Sequence, residues 1–341
     1  MINSVYRLTE PRVIEEVFEE VDLKEGDIIV RPTYMSICKA DQRYYQGNRD
    51  INTLKEKLPM ALIHEAVGGV VKDYTGTYEP GDKVVLIPNT PVEEDEIVEE
   101  NYLESSRFRS SGYDGFMSEY VYISKDRVIR LPDNIDLKVA SFIELVSVAY
   151  HGIRHFKTIA HKRRNAIGVW GDGNLGFITS LLLKVMFPDS RIMVFGKNLE
   201  KLSYFSFADE TWNINQMPKD LAIDHGFECV GGFKSEFAIN QIIDVIKPQG
   251  TIALLGVSEN KVAINTRMVL EKGITMFGSS RSGKKDFEET IKLISKNQYI
   301  VDYLKNLVAN EVEIDSISDI MDAFSIDFNS NFGKTVLKWN L

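Results

Sequence analysis

The segment Gly171-Asp172-Gly173-Asn174-Leu175-Gly176 restricts what this chain can fold into more than any other. It follows an apolar, strand-like run at residues 166–169 and precedes an apolar, helix-like run at 177–187. A second strand-like run closes the unit at 191–195. The first glycine permits a tight turn out of the strand, the second lets a pyrophosphate approach the backbone, and the third lets helix and strand pack closely. Alone, G-x-G-x-x-G also occurs as a Gly-rich turn in α/β domains that bind nothing. The strand–turn–helix–strand setting is what points to a dinucleotide. Gly171, Gly173, Asn174, Leu175 and Gly176 are therefore the expected cofactor contacts.

The end of the second strand bears on which dinucleotide. An NAD site usually places an acid there to hold the ribose hydroxyls. This chain has Phe195-Gly196-Lys197-Asn198, with Lys201 four residues after Lys197. A carboxylate would repel a 2′-phosphate, whereas an ammonium attracts it. Gly196, Lys197 and Lys201 thus favour NADP(H), the alternative being a solvated lysine pair at a helix start.

Strand and helix signals alternate after residue 132. A helix is expected over 137–156 and strands over 227–230 and 251–257, with Cys229 as a core residue and His225 in a connection. His151, His155 and His161 fall on or just after a helix. This rhythm means a parallel sheet covered by helices. Before residue 135 the signals are short strands at 27–34, 66–71, 83–87 and 120–123, which suggest a small barrel. Residues 90–109 read as a solvated acidic loop. The tail carries a helical run from about residue 280 and ends in a strand-like 334–339 that is expected to fold back onto the first domain.

The length of 341 residues suits two domains. A formal net charge of −10 argues against nucleic acid, which needs a basic stripe. Two cysteines exclude a disulfide framework and a four-cysteine metal site, and a reducing cytoplasmic setting follows. Residues 1–20 lack the apolar core of an export signal. No membrane span is expected: the most apolar stretch, 177–187, is short and broken by Thr179, Ser180 and Lys184.

Cys38, His64, Glu65 and Glu144 carry side chains that bind zinc well. Separately each is a weak signal, since a lone cysteine is usually a small core residue. Their surroundings add to it. Ile63-His64-Glu65 with Gly68 resembles the G-H-E-x-x-G signature of medium-chain dehydrogenases, with Ile63 in place of the first glycine. Cys38 to Asp41 resembles the C-G-x-D element of that family, Gly81-Asp82-Lys83-Val84 its G-D-x-V turn, and the run from Gly115 to Tyr120 its G-x-x-A-E-Y segment, from which Met117 and Ser118 depart. With the Gly171 turn these elements stand in family order over most of the chain.

The resemblance implies an α/β protein with a GroES-like, β-rich catalytic domain (residues 1–145 and 281–341) and a Rossmann doubly wound parallel-sheet domain (146–280). It implies one catalytic zinc held by Cys38, His64 and Glu144, with Glu65 able to exchange with water and Asp41 holding the His64 ring. Glu65, Glu144 and Asp41 are the expected catalytic carboxylates. Glu144 stands where alcohol dehydrogenases often have cysteine, as in polyol dehydrogenases. Ala40 replaces the usual hydroxyl of the proton relay, so a water held by Glu65 or Glu144 is the expected donor.

Within the family, residues 38–45, the Gly171-Asp172-Gly173 turn and the Phe195–Asn198 segment resemble the ribulose-5-phosphate reductases of ribitol-phosphate teichoic acid synthesis. That implies NADPH-dependent reduction of D-ribulose 5-phosphate to D-ribitol 5-phosphate, a ribitol-5-phosphate cytidylyltransferase as partner, and a homodimer. Lys39, Arg43 and Tyr44 are the expected substrate contacts. Arg107, Arg109, Arg281, Lys284 and Lys285 are further cations for a phosphate, each singly as consistent with a solvated surface role. The rival readings are a zinc polyol dehydrogenase of the sorbitol or arabinitol type and a non-catalytic, cofactor-binding or structural family member.

Overall fold

The computed structural model describes residues 2–21 and 27–341. These divide into two compact units, Met1–Leu145 with Ser282–Leu341, and Val146–Arg281.

The first unit is β-rich. Ile2–Glu10 pairs antiparallel with Val13–Glu20 and with Met60–Ala61. This hairpin has no counterpart among the expected strands, because its glutamates mask the alternation. Asn3, Val5, Tyr6 and Leu8 of this strand are nevertheless buried, on both of its faces. The half-buried Arg7 is neutralised by Asp114, through contacts of 3.0 and 3.1 Å, and by Glu19.

A larger sheet runs in the order Val128–Arg130, Lys83–Leu86, Ala66–Asp73, Asp27–Ser36, Lys334–Trp339, Val308–Ile314, and Val121–Ser124 also pairs with Asp27–Ser36. The C-terminal strand lies antiparallel on Asp27–Ser36, with Leu337 opposite Met35. It is parallel to Val308–Ile314, and the helix Ile317–Asn329 supplies the crossover that a parallel pair requires. Val336 and Leu337 are fully buried, each contributing about 1.5–3 kcal/mol by removal from water. The Trp339 indole N–H donates to the Ser118 carbonyl at 3.1 Å. The acidic stretch after residue 90 is mostly irregular and exposed, with only the two-residue strands Asn89–Thr90 and Arg107–Phe108 pairing at its ends.

The second unit is one parallel sheet of six strands. Its order is Glu210–Asn213, Arg191–Gly196, Ala166–Trp170, Ile223–Glu228, Ile246–Leu254, Thr275–Gly278. Counted along the chain that is 3-2-1-4-5-6, the doubly wound order, which opens a crevice where the order reverses. Every residue of the two central strands is buried, as expected when helices cover both faces.

Three of the expected elements differ. The strand anticipated at 227–230 is Ile223–Glu228, so His225 lies inside a strand and Cys229 lies just beyond its end. The polar pair Asp224-His225 reads as a connection, yet both side chains are satisfied in place. Asp224 accepts the Ala166 N–H at 3.1 Å and pairs with Arg163 and Lys247, each at 3.0 Å. Likewise the strand expected from 251 begins at Ile246. The helix expected over 137–156 is two helices, Leu137–Ala140 and Ile143–Ile159.

His225 has a testable consequence. Its Nδ1 accepts the Thr251 N–H at 3.1 Å, so Nε2 carries the proton and donates to the Arg163 carbonyl at 2.9 Å. Burial, with the His161 ring centred 4.3 Å away, pushes its pKa down to about 4. Between pH 4 and 6.5 the unfolded chain therefore holds a proton that the folded one does not. The stability contributed is complete above about pH 6.5 and lost as pH falls toward 4, roughly 3 kcal/mol in all. By NMR titration the His225 ring should stay neutral down to about pH 4; a ring titrating near 6.5 would contradict this hydrogen-bond frame.

Candidate active site

Within the first unit, Cys38 is the N-cap of the helix Lys39–Tyr45, directly after the strand Asp27–Ser36. Asp41 sits in the first turn, where a carboxylate is favoured. Its side chain is fully buried and every contact has a purpose. Oδ2 accepts the Cys38 N–H at 3.1 Å. Oδ1 accepts the Ile63 N–H at 3.0 Å and the Ser110 hydroxyl at 2.6 Å, and lies 3.5 Å from Nδ1 of His64. Burial would raise its pKa, but His64 and these donors outweigh burial and hold it below the usual value. Burial likewise would lower the His64 pKa, and the facing Asp41 and Cys38 overcome that and hold it well above the usual value.

His64 is turned into the site by Ile63, which adopts φ +68°. For a β-branched residue that backbone costs about 1–2 kcal/mol. The fully buried Ile63 side chain offsets it by about 1.5–3 kcal/mol. The conformation is also gripped from both sides, by Asp41 on its N–H and by the Phe116 N–H on its carbonyl at 2.7 Å. Gly115 makes that approach feasible, since a Cβ there would lie 2.2 Å from the Leu62 oxygen.

Cys38, His64 and Glu65 bring their ligand atoms within 4.8 Å of one another. Glu144, in the first turn of Ile143–Ile159, is buried beside them. Burial, with Glu65 near and His64 only partly compensating, lifts its pKa to about 7. A thiol, an imidazole and carboxylates so placed, with more acidic than basic groups, suit a divalent cation of the zinc type.

Sequence reasoning missed Lys334. It opens the C-terminal strand, is 2% exposed, and its Nζ reaches the two Glu65 oxygens at 2.9 and 2.8 Å. Glu65 is the largest of the causes that raise its pKa against burial. Nothing in the strand Lys334–Trp339, which carries a second lysine at Lys338, singles it out in the sequence. Ser110, just past the polar segment, was missed as well.

The expected substrate contacts diverge. Lys39 is exposed, with Nζ 3.6 Å from the buried Asp327 carboxylate. Arg43 is half-buried on the same helix. Tyr44 is corrected: it is 2% exposed in the core, under the Arg49 guanidinium at 4.7 Å, and its neighbour Tyr45 stacks on Phe324. These rings fall on the inner face of the helix. Arg109 packs over Tyr113 and Phe116 and donates to two backbone carbonyls.

The second unit holds the glycine turn. A Cβ on Gly171 would lie 2.9 Å from the Cys229 oxygen, and one on Gly176 only 2.0 Å from the Gly171 oxygen. Gly173 has nothing within 4 Å of its Cβ position, which leaves room for a ligand to approach the backbone. Asn174 and Leu175 open the helix Asn174–Met186. A cavity of about 970 Å³ extends from this turn, lined by Gly171, Gly196, Lys197 and Lys201, with Phe233 and Phe237 as apolar wall. Its size fits a nucleotide. The two lysines thus share one cavity.

Among the described residues no helix is long and apolar enough to cross a membrane. Residues 24–133 match the alcohol dehydrogenase GroES-like domain, and residues 183–296 match the zinc-binding dehydrogenase family. The chain is 55% identical to ribulose-5-phosphate reductase 1 of Staphylococcus aureus, covering 99% of each chain. It is 52% identical to ribulose-5-phosphate reductase of Bacillus spizizenii, covering 100% of each. The crystal structure of S. aureus TarJ in complex with NADPH superposes with a TM-score of 0.90 at 50% identity, covering 100% of both chains.

Breaking the buried pair should be costly. In metal-free protein, Lys334→Met leaves Glu65 buried without its cation and is expected to lower stability by about 3–5 kcal/mol in urea denaturation. The double variant with Glu65→Gln should recover most of that loss; a double variant no better than the single one would show that the pair is not the cause.

Proposed function

Since this chain belongs to the zinc-binding dehydrogenase family, with its alcohol dehydrogenase GroES-like domain, we propose that it reduces D-ribulose 5-phosphate to D-ribitol 5-phosphate with NADPH. The observation that carries this reading is likeness at 52–55% identity to ribulose-5-phosphate reductases over essentially the full length. The grouping of Cys38, His64 and Glu65 beside Glu144 supports it. So does the cavity bearing Lys197 and Lys201 in place of a ribose-binding acid.

Cys38, His64 and Glu144 would hold one zinc, with Glu65 as an exchangeable ligand. Zinc bound there supplies Lewis-acid polarisation of the ketone oxygen, and the nicotinamide supplies the hydride. The chain's own residues do the rest. Asp41 fixes the His64 ring through Nδ1 and leaves Nε2 for ligation. The Asp41–Cys38 bond sets the helix start from which the thiol projects. The reduction consumes one proton at the new hydroxyl. Ala40 offers no hydroxyl to relay it, so a water held by Glu65 or Glu144 is the proposed donor. Lys39 and Arg43, on the helix begun by Cys38, are the proposed cations for the substrate phosphate.

The product phosphate monoester suits a cytidylyl transfer next, so a ribitol-5-phosphate cytidylyltransferase is the proposed partner in teichoic acid synthesis. Two free thiols suit the cytoplasm. The strand Thr275–Gly278 bonds on one side only among the described residues, an open edge that a homodimer would cover.

Two outcomes are expected. In NADPH oxidation assays, D-ribulose 5-phosphate should react far better than D-ribulose, in kcat as well as KM, because the phosphate lends remote binding energy to placing the ketone. Added salt should weaken only the phosphorylated substrate. Equal rates with free ribulose or sorbitol would favour a polyol dehydrogenase instead. Elemental analysis should find one zinc per chain, lost in Cys38→Ser. Because His64 must shed a proton to ligate, zinc affinity of the metal-free protein should rise with pH in chelator competition; affinity independent of pH would exclude His64 as a ligand.

A further inference from the structure

We infer that Asp172, the second residue of the glycine turn, sets the preference for NADPH over NADH by placing its carboxylate under the Gly196–Asn198 backbone. This rests on the NADPH reading above. The acid that would hold ribose hydroxyls in an NAD site belongs at the end of the second strand, where this chain has Gly196. That space is not empty. A Cβ on Gly196 would lie 2.6 Å from Asp172 Cβ and 2.9 Å from its Oδ2. A carboxylate is therefore present at this end of the cavity, but it arrives from the neighbouring strand's turn and points another way.

Its direction decides what it can do. Asp172 Oδ2 accepts the Lys197 N–H at 2.7 Å and the Asn198 N–H at 2.8 Å. Such charge-assisted bonds are strong and fix the group that accepts them. An oxygen so engaged is a poor partner for a ribose diol. The same turn is held elsewhere: Asn213 Nδ2 donates to the Lys197 carbonyl at 3.0 Å, the Ile214 N–H to the Gly196 carbonyl at 2.9 Å, and the Lys201 N–H to Asn198 Oδ1 at 3.2 Å. Lys197 and Lys201 line the cavity together with Asn198, Leu199 and Glu200 of the same turn, and Lys234 adds a third cation. Asp172 is thus a positioning residue. It braces a cationic turn against which a 2′-phosphate binds, and it occupies the volume that an NAD-type acid at position 196 would need.

Steady-state kinetics of the zinc-loaded enzyme with each cofactor test this. Asp172→Ala should raise the KM for NADPH about tenfold, the effect of two lost hydrogen bonds, with the NADH value changed less than about twofold and the loss in KM rather than kcat. Asp172→Asn keeps one oxygen able to accept both amides, so its KM for NADPH should stay within about threefold of the unmodified enzyme. Gly196→Asp alone should bind neither cofactor well, and adding Asp172→Gly should restore binding with NADH now preferred. A change in both KM values by the same factor in Asp172→Ala, or in neither, would overturn the inference while leaving the NADPH reading intact. Equal use of both cofactors by the unmodified enzyme would overturn the NADPH reading and this inference with it.

Discussion

The carboxylate of Asp41 ties together the pieces of chain that make the proposed reactive centre. It bonds the Cys38 and Ile63 amides and the Ser110 hydroxyl, and it faces the His64 ring. Those groups come from a helix start, a strained turn and the end of the acidic segment, which are far apart in sequence. One buried anion with several donors is a stable arrangement where an unpaired one would not be. The strain at Ile63 persists because Asp41 and Phe116 hold its amide and carbonyl while its side chain fills the core.

A second constraint follows from charge. Asp41, Glu65 and Glu144 are all buried in the same neighbourhood, an arrangement that low-dielectric surroundings penalise. Lys334 answers part of it from the last strand of the chain. The C-terminal segment is therefore part of the centre as well as of the sheet. Burial, with Glu65 and Asp41 adding to it, raises the pKa of Glu144, while Asp41 and Cys38 hold that of His64 up against burial. A cation bound there would relieve the excess of negative charge.

The nucleotide-binding unit uses carboxylates differently. Asp224 accepts a strand amide, Asp172 two amides of the cavity turn, and Glu228 those of Val230, Gly231 and Gly256. Asp172 and Glu228 satisfy amides that the parallel sheet leaves unpaired beyond its strand ends, and Asp224 one at a strand start. Glu228 does so under enough burial that its pKa is raised in spite of those donors.

Much of this is legible in the sequence, because it depends on local rules. The glycines at 171 and 176 are demanded by backbone contacts of 2.9 and 2.0 Å that no side chain could share. Cys38, His64, Glu65 and Glu144 stand out by residue type and by family order, and the segment 334–339 reads as a strand from its residues alone, as it is. What could not be read were properties set by distant partners. The N-terminal hairpin hides behind its glutamates, because the balance that Asp114 and Glu19 give Arg7 is a tertiary one. His225 looks like a connection because the groups that satisfy it, Arg163 and Thr251, are remote in sequence. Tyr44 looks like a ligand contact because nothing in its neighbours says which face of a seven-residue helix turns inward. The sequence by itself determined the donors, the turn and the absence of an acid at position 196. Only the tertiary structure decided that Lys334 pairs with Glu65 and that Asp172 fills the space at Gly196, since such pairings depend on which strand ends lie side by side and periodicity carries no record of that.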